Sequence, residues 1–122
     1  KLWPGLAGLY PRLAEQPSVD EVKARMLYAQ LVDAARAMAD GVLIDPADGD
    51  VGAILGVGFP AYLGGPFSMM DTIGIDEVVA ECDRLAARYG EQYAAPALLR
   101  DMAARGQTFY GARRVTPPAA AR

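Results

Sequence analysis

Histidine is missing altogether from the 122-residue chain. Its absence removes Ser-His-Asp and Cys-His units, imidazole metal clusters and a histidine general base from anything these residues do by themselves. A single cysteine, Cys82, excludes an internal disulfide and any zinc site built on two or four thiolates. No run of β-branched residues alternates with a period of two, so no strand is expected. Nor is there a basic start, apolar run and cleavage site of the export type; with one thiol, this points to the cytoplasm. Basic residues form no stripe. The net charge is −3, and the tail arginines Arg113, Arg114 and Arg122 leave −6 on residues 1–110, which argues against a nucleic-acid partner. The chain opens on Lys1 in place of methionine and reads as part of something longer.

Apolar residues, by contrast, are plentiful. They make up 52% of the chain, and the mean hydropathy is +0.10. Either the core is large or some apolar surface meets a partner. Between Asp50 and Asp71 lie twenty residues without a formal charge, VGAILGVGFPAYLGGPFSMM. Their length suits a membrane span. Pro60 and Pro66 break the run and five glycines loosen it, so it reads as a helix end, a turn and a second helix start.

Start and stop signals divide the rest. Residues 1–17 carry Leu2, Trp3, Leu6, Leu9, Tyr10 and Leu13 between prolines, and are expected to form short helical turns that pack as an arm. Ser18-Val19-Asp20-Glu21 is a capping-box pattern. A helix should run from there to Asp40, with Gly41 as its stop. Val22, Met26, Ala29 and Ala37 share one side of it, and Leu27, Leu31, Ala34 and Met38 the other, which predicts packing on both faces. Asp45-Pro46 starts a helix ending near Gly56 or Gly58. Gly65-Pro66 starts another, closed by Gly74. Ile75, Val78, Val79, Cys82, Leu85, Ala86 and Tyr89 form the clearest amphipathic stripe. Pro96 opens a last helix, stopped by Gly106. The fold class is therefore all-α, a compact set of five or six helices over residues 18–110, with a disordered tail over 111–122.

Several motifs invite a chemical reading. Gly56-Val57-Gly58-Phe59-Pro60-Ala61 matches the dinucleotide pattern G-x-G-x-x-G/A, but that mechanism needs a preceding strand and free N–H groups. A glycine-rich turn with Phe59 in the core is the simpler reading. Asp50, Asp71 and Asp33 could do acid–base work, yet no second catalytic residue type accompanies them. They are expected to bond backbone N–H groups, Asp33 as a buried acid. Arg25, inside an apolar helix, should have a carboxylate partner, Asp33 or an acid from another helix. Cys82 reads as a small core residue. The five methionines do not cluster as copper ligands.

The ordered series Arg25-Met26-Leu27, Asp33, Asp40-Gly41-Val42, Asp50, Gly56-Val57-Gly58-Phe59-Pro60, Gly64-Gly65-Pro66-Phe67 and Asp71-Thr72-Ile73-Gly74 resembles the C-terminal helical domain of 3-hydroxyacyl-CoA dehydrogenases. Leu99, Met102-Ala103 and Phe109-Tyr110 narrow the likeness to the second copy of this domain in the multifunctional α subunit of the fatty acid β-oxidation complex. The resemblance implies a longer chain with an enoyl-CoA hydratase domain, a Rossmann domain and two helical copies. It implies oxidation of L-3-hydroxyacyl-CoA with NAD, with the catalytic His–Glu pair and the NAD loop in the Rossmann domain, so no cofactor is assigned to these residues. The family often has Asn where this chain has Ala24, and Asn-Glu where it has Val32-Asp33. Those departures imply a non-catalytic packing domain, partnered by the Rossmann domain and the first helical copy. The isolated chain is then expected to self-associate through the surface so exposed. Two alternatives stand beside this: Gly58 to Pro66 could line part of an acyl-CoA site, or the chain could be an independent helical adaptor.

Overall fold

The structure, a computed structural model, describes residues 1–111. The expected disordered tail lies, from residue 112 onward, outside the described residues. Six helices follow in order: α1 (Leu6–Leu9), α2 (Val19–Ala39), α3 (Pro46–Val57), α4 (Pro66–Ile73), α5 (Ile75–Tyr89) and α6 (Ala97–Arg105). Two 3₁₀ turns, Ala61–Leu63 and Glu91–Tyr93, sit before α4 and before α6. The described residues contain no strand, and the fold is all-α.

Helix α2 is the axis on which α4, α5, α6 and the second 3₁₀ turn pack. Tyr28, Leu31, Val32 and Ala35 face them and are buried. These positions follow the i, i+3, i+4, i+7 spacing of one helix stripe. The expected second packed face is only partly there: Ala29 packs against the core. Val22 and Met26 are exposed, off the Tyr28–Ala35 stripe that is buried. The arm departs from expectation as well. Leu2, Trp3, Leu9, Tyr10 and Leu13 are exposed, and α1 buries none of its residues. Four residues between prolines are too short to present a stripe to the core or to hold a helix firmly by themselves.

The charge-free run divides at its glycines and prolines. Asp45 caps α3, its Oδ1 accepting the Ala47 N–H at 2.8 Å, and Pro46 takes the first helical position. Gly58 ends α3 in the left-handed region at φ 75°. The chain then turns through Phe59, only 3% exposed, into the short 3₁₀ turn and α4. No helix among the described residues is long and apolar enough to cross a membrane.

Helix α5 buries Ile75, Val78, Cys82 and Leu85, with Val79, Ala86 and Tyr89 partly covered beside them. Helix α6 adds Leu99 and Met102. Phe67, Leu31, Met70, Leu85 and Leu99 meet at the centre with no exposure. Phe67 packs edge-to-face on Phe109 at 4.8 Å between centroids. It also lies so close to Gly49 that a methyl group there would overlap its ring. This contact seats α4 directly on α3.

Candidate functional site

Two carboxylates organise the second half of the chain. Asp50, in the middle of α3, is 4% exposed. Its Oδ1 accepts the Phe67 N–H at 2.7 Å, and its Oδ2 accepts the Ser68 N–H at 3.0 Å. The Ser68 hydroxyl donates to Oδ2 at 2.6 Å, and the Tyr110 hydroxyl at 2.8 Å. Phe67 and Ser68 open α4, whose own preceding residue, Gly65, supplies no side-chain cap. Asp50 therefore caps α4 from another helix, meeting N–H groups that no intrahelical carbonyl reaches. Gly65 makes this approach possible. Its φ is 106°, and a Cβ there would overlap the Asp50 side chain. Pro66 follows at the first helical position, where an N–H is not needed.

Asp71, in the last turn of α4, accepts the Phe109 N–H and the Tyr110 N–H at 2.9 Å each. It reaches past the nearby turns to a segment 38 residues ahead. Tyr110 thus joins both acids, Asp71 through its backbone and Asp50 through its hydroxyl. Burial and the Asp50 hydrogen bond push the Tyr110 phenol up to about 12, so it stays a donor. The result is a clasp of α3, α4 and the C-terminal segment, made from acceptors already filled by protein donors. Acids bonded in this way hold structure.

A second cluster joins α2 to α5. Ser18 accepts the Glu21 N–H at 3.2 Å, which is half of a capping box. The reciprocal half is missing because the Glu21 carboxylate turns to Arg84, at 2.9 and 3.2 Å, and to the Tyr89 hydroxyl at 2.7 Å. Arg84 also holds Glu81 at 2.7 Å. The Arg84 hydrogen bonds, followed by that of Tyr89, lower the Glu21 pKa to about 2.

Arg25 and Asp33 correct the sequence reading. Eight residues apart on one helix, they stand about 12 Å apart along its axis at 1.5 Å per residue, beyond the reach of an ion pair. Asp33 is solvent-exposed, its side chain 79% accessible, and faces Arg36 at 3.6 Å. At 100° per residue it lies on the side of α2 opposite the Tyr28–Ala35 stripe. The Arg25 guanidinium lies over the Tyr89 ring, 4.2 Å from the centroid, and its buried Nε has no hydrogen-bond partner. An aromatic face takes the place of the expected carboxylate.

The other motif residues shape the chain path. Gly41 follows the end of α2 at φ 73°. Gly58 closes α3, Pro60 and Gly64 bracket the first 3₁₀ turn, and Gly74 joins α4 to α5. Asp50, Gly65, Pro66 and Asp71 come together in the clasp. Asp33, Phe59 and Pro66 line one cleft of about 590 Å³ between α2 and α3, with Asp48 and Ala53. Arg25 lies apart, in a groove of about 400 Å³ with Val22, Met26 and Tyr93.

These residues do not fit a dinucleotide. Gly56 and Gly58 sit at the C-terminal, carbonyl end of a helix, the end that repels a pyrophosphate, and no strand precedes them. Among the described residues, no three His, Cys, Asp or Glu side chains are placed to hold a metal ion. Cys82 is fully buried, and burial raises its thiol to about 11.

A sequence model described as 3-hydroxyacyl-CoA dehydrogenase, C-terminal domain, matches residues 22–112. The chain belongs to that family. Curated relatives point the same way. The chain is 42% identical over 105 residues to a fatty acid oxidation complex subunit alpha of Shewanella amazonensis, a match that covers 86% of the chain and 15% of that protein. Proteins of the same name from Vibrio parahaemolyticus and Idiomarina loihiensis are each 42% identical, over 93 and 96 residues. Those matches cover 76% and 79% of the chain, and 13% and 14% of the relatives. The chain thus spans about 15% of the length of the curated relatives it matches.

Within this dehydrogenase C-terminal domain, sequence reasoning missed Ser68, Arg84 and the Tyr110 hydroxyl as partners. Only the Asp50–Pro66 spacing and the Phe109-Tyr110 pair hinted at the clasp. The Arg84 cluster left no local signal, since Glu21 and Arg84 lie 63 residues apart.

Proposed function

We propose that this chain is the non-catalytic second helical copy of a fatty acid β-oxidation α subunit. In that reading it supports an NAD-dependent 3-hydroxyacyl-CoA dehydrogenase module by packing on the Rossmann domain and the first helical copy. NAD and the acyl-CoA substrate are then held by the rest of the longer, cytoplasmic protein. The observation that carries the reading is the fate of the two positions where the family often has polar residues. Ala24 has no polar side-chain atom, and Val32 is a core residue with no exposure. Neither can address a substrate.

What the domain does present is apolar surface. Val51 and Leu55, one turn apart on α3, are 55% and 81% exposed, and Ile44, Val57 and Tyr62 are exposed as well. An exposed apolar surface of this kind suits domain packing. Isolated, the same surface supports association of two copies, which light scattering across a concentration series would read; a monomer at every concentration counts against it. Calorimetry with NAD and with a 3-ketoacyl-CoA tests the main reading. No heat of binding is expected at micromolar protein, and tight binding of either ligand would overturn it.

The alternative of an acyl-CoA surface has less support. Asp33 and Asp48 edge the cleft beside Phe59, and they repel the phosphates of CoA.

A further inference from the structure

The arm ahead of α2 is folded yet covers nothing. The Leu6 N–H donates to the Trp3 carbonyl at 3.1 Å, the Gly8 N–H to the Gly5 carbonyl at 3.2 Å and the Tyr10 N–H to the Leu6 carbonyl at 2.8 Å, so α1 and its flanks hold a shape of their own. From it project Leu2, Trp3, Leu9, Tyr10 and Leu13, each at least 66% exposed. None of them packs on the core cluster. A second bare strip begins where the arm ends. Val19, Val22 and Met26 are exposed on the side of α2 opposite the Tyr28–Ala35 stripe. Val22 and Met26 also line the groove of about 400 Å³ with Arg25, Ala29 and Tyr93. In its own copy the arm leaves this strip open. Pro11 and Pro17 stiffen the joint, and Ser18 enters α2 in an extended conformation, at ψ 153°.

We infer that two copies of this chain exchange arms, each arm seating Trp3, Leu9 and Tyr10 against the α2 strip and groove of the other copy. The inference rests on the association of isolated copies proposed above, and it names a surface and its occupant. Arm and strip are adjacent in sequence, so a two-fold axis that lays one arm on the opposite strip lays both, and the contact closes on itself. A foreign helix on α2 would leave the arm bare. The areas suffice. Trp3 and Tyr10 bring roughly 150–250 Å² each. With the leucines beside them, two arms on two strips cover on the order of 1,600 Å², the size of a standard stable interface. The charges agree as well. The arm has Arg12 and Glu15, and the first turns of α2 have Asp20 and Lys23, one of each sign on either side. None of the four is in an ion pair among the described residues.

The test follows mass together with the single tryptophan, Trp3, in the 122-residue chain. Sedimentation equilibrium across a concentration series should show the mass doubling. The Trp3 emission should shift to the blue over the same range, as its ring leaves water. Deleting residues 1–13 should leave a monomer at every concentration. Val22→Glu with Met26→Glu should weaken dimerisation by about tenfold or more, with the native circular dichroism kept because both side chains are exposed. Mixed together, the arm-deleted chain and the Val22→Glu, Met26→Glu chain supply one intact strip and one intact arm. A one-to-one complex should return, weaker than the native dimer, with a blue shift of the one remaining Trp3. Val51→Ser with Leu55→Ser should leave dimerisation unchanged. A dimer that survives deletion of the arm would overturn arm exchange and leave the association of copies standing. A blue-shifted Trp3 in a monomer would overturn it too, by placing the arm on its own copy. A monomer with Trp3 in water at every concentration would overturn arm exchange and remove the support that association lends the packing function, which calorimetry with NAD and a 3-ketoacyl-CoA tests separately.

Discussion

Replacing Asp50 by alanine should be among the most costly single changes in this domain. Asp50 accepts four hydrogen bonds, two of them from the first-turn N–H groups of α4. Phe67 has no exposure, so its N–H gains no water when the carboxylate is lost. A buried donor left unsatisfied costs about 1–3 kcal/mol, and loss of a helix cap typically about 1 kcal/mol. The Ser68 and Tyr110 hydroxyls are only part-buried and can turn to solvent, adding about 1 kcal/mol between them. The expected loss for Asp50→Ala is thus about 3–5 kcal/mol, within the range set by a broken buried network. Asp50→Asn should cost about 2 kcal/mol, since the amide keeps one acceptor but turns N–H donors toward other donors. Urea unfolding followed by helical circular dichroism at 222 nm measures both. The midpoint should fall and the slope should not change. Tyr110→Phe, combined with Asp50→Asn in a double-mutant cycle, should show a coupling of about 0.5–1 kcal/mol. A loss below about 1 kcal/mol for Asp50→Ala, with slope unchanged, would refute the account of Asp50 as the cap of α4.

Three further outcomes follow from the same geometry. Gly65→Ala should destabilise by about 2–4 kcal/mol on the urea scale, because it combines left-handed backbone strain with overlap on Asp50; a change within 0.5 kcal/mol would show that α4 shifts freely. The folded pKa of Glu21 lies below its unfolded value, so its contribution is full above about 4.5 and is lost as pH falls toward about 2. Glu21→Gln should therefore flatten the acid limb of a stability–pH curve in that window and leave the curve's shape near pH 7 unchanged; identical acid limbs would discard the Arg84 cluster as its cause. Cys82 should resist a thiol reagent in native buffer and react at once in denaturant, since it is buried with a raised pKa. Fast native labelling would contradict its place in the core.

Much of this fold was legible because its punctuation is local. Gly41, Gly58, Gly74 and Gly106 stop helices, and Pro46 and Pro66 start them; each acts through backbone geometry that a sequence displays. The stripe on α5 was legible for the same reason. What stayed hidden depends on direction and distance. Asp33 and Asp50 are the same residue type on neighbouring helices, and one is open to water while the other is enclosed by four donors. That difference arises from where α4 lands, which no spacing within α2 or α3 records. The second face of α2 misled in the same way. Val22 and Met26 have the composition of a packed stripe, but no helix lies in extensive contact with them.

The two kinds of acid in this domain point to one division of labour. Asp50 and Asp71 accept protein donors on both oxygens and so hold α3, α4 and the C-terminal segment together. Asp33 and Asp48 have no comparable set of donors and stand at the edge of an apolar cleft. An exposed carboxylate beside exposed valine and leucine gains little from its own fold, because surface charges contribute weakly to stability. It does discriminate between partners, since a like charge opposite it costs more than a neutral group and an opposite charge costs less. Under the packing function proposed above, a domain that has valine and alanine where its family often has polar residues, yet keeps its clasp intact, would be held in place by other domains. Asp33→Asn with Asp48→Asn should therefore leave the unfolding free energy of the isolated chain within about 0.5 kcal/mol of the original. A large stability loss from Asp33→Asn with Asp48→Asn would show instead that the rim belongs to the fold, and the division would collapse.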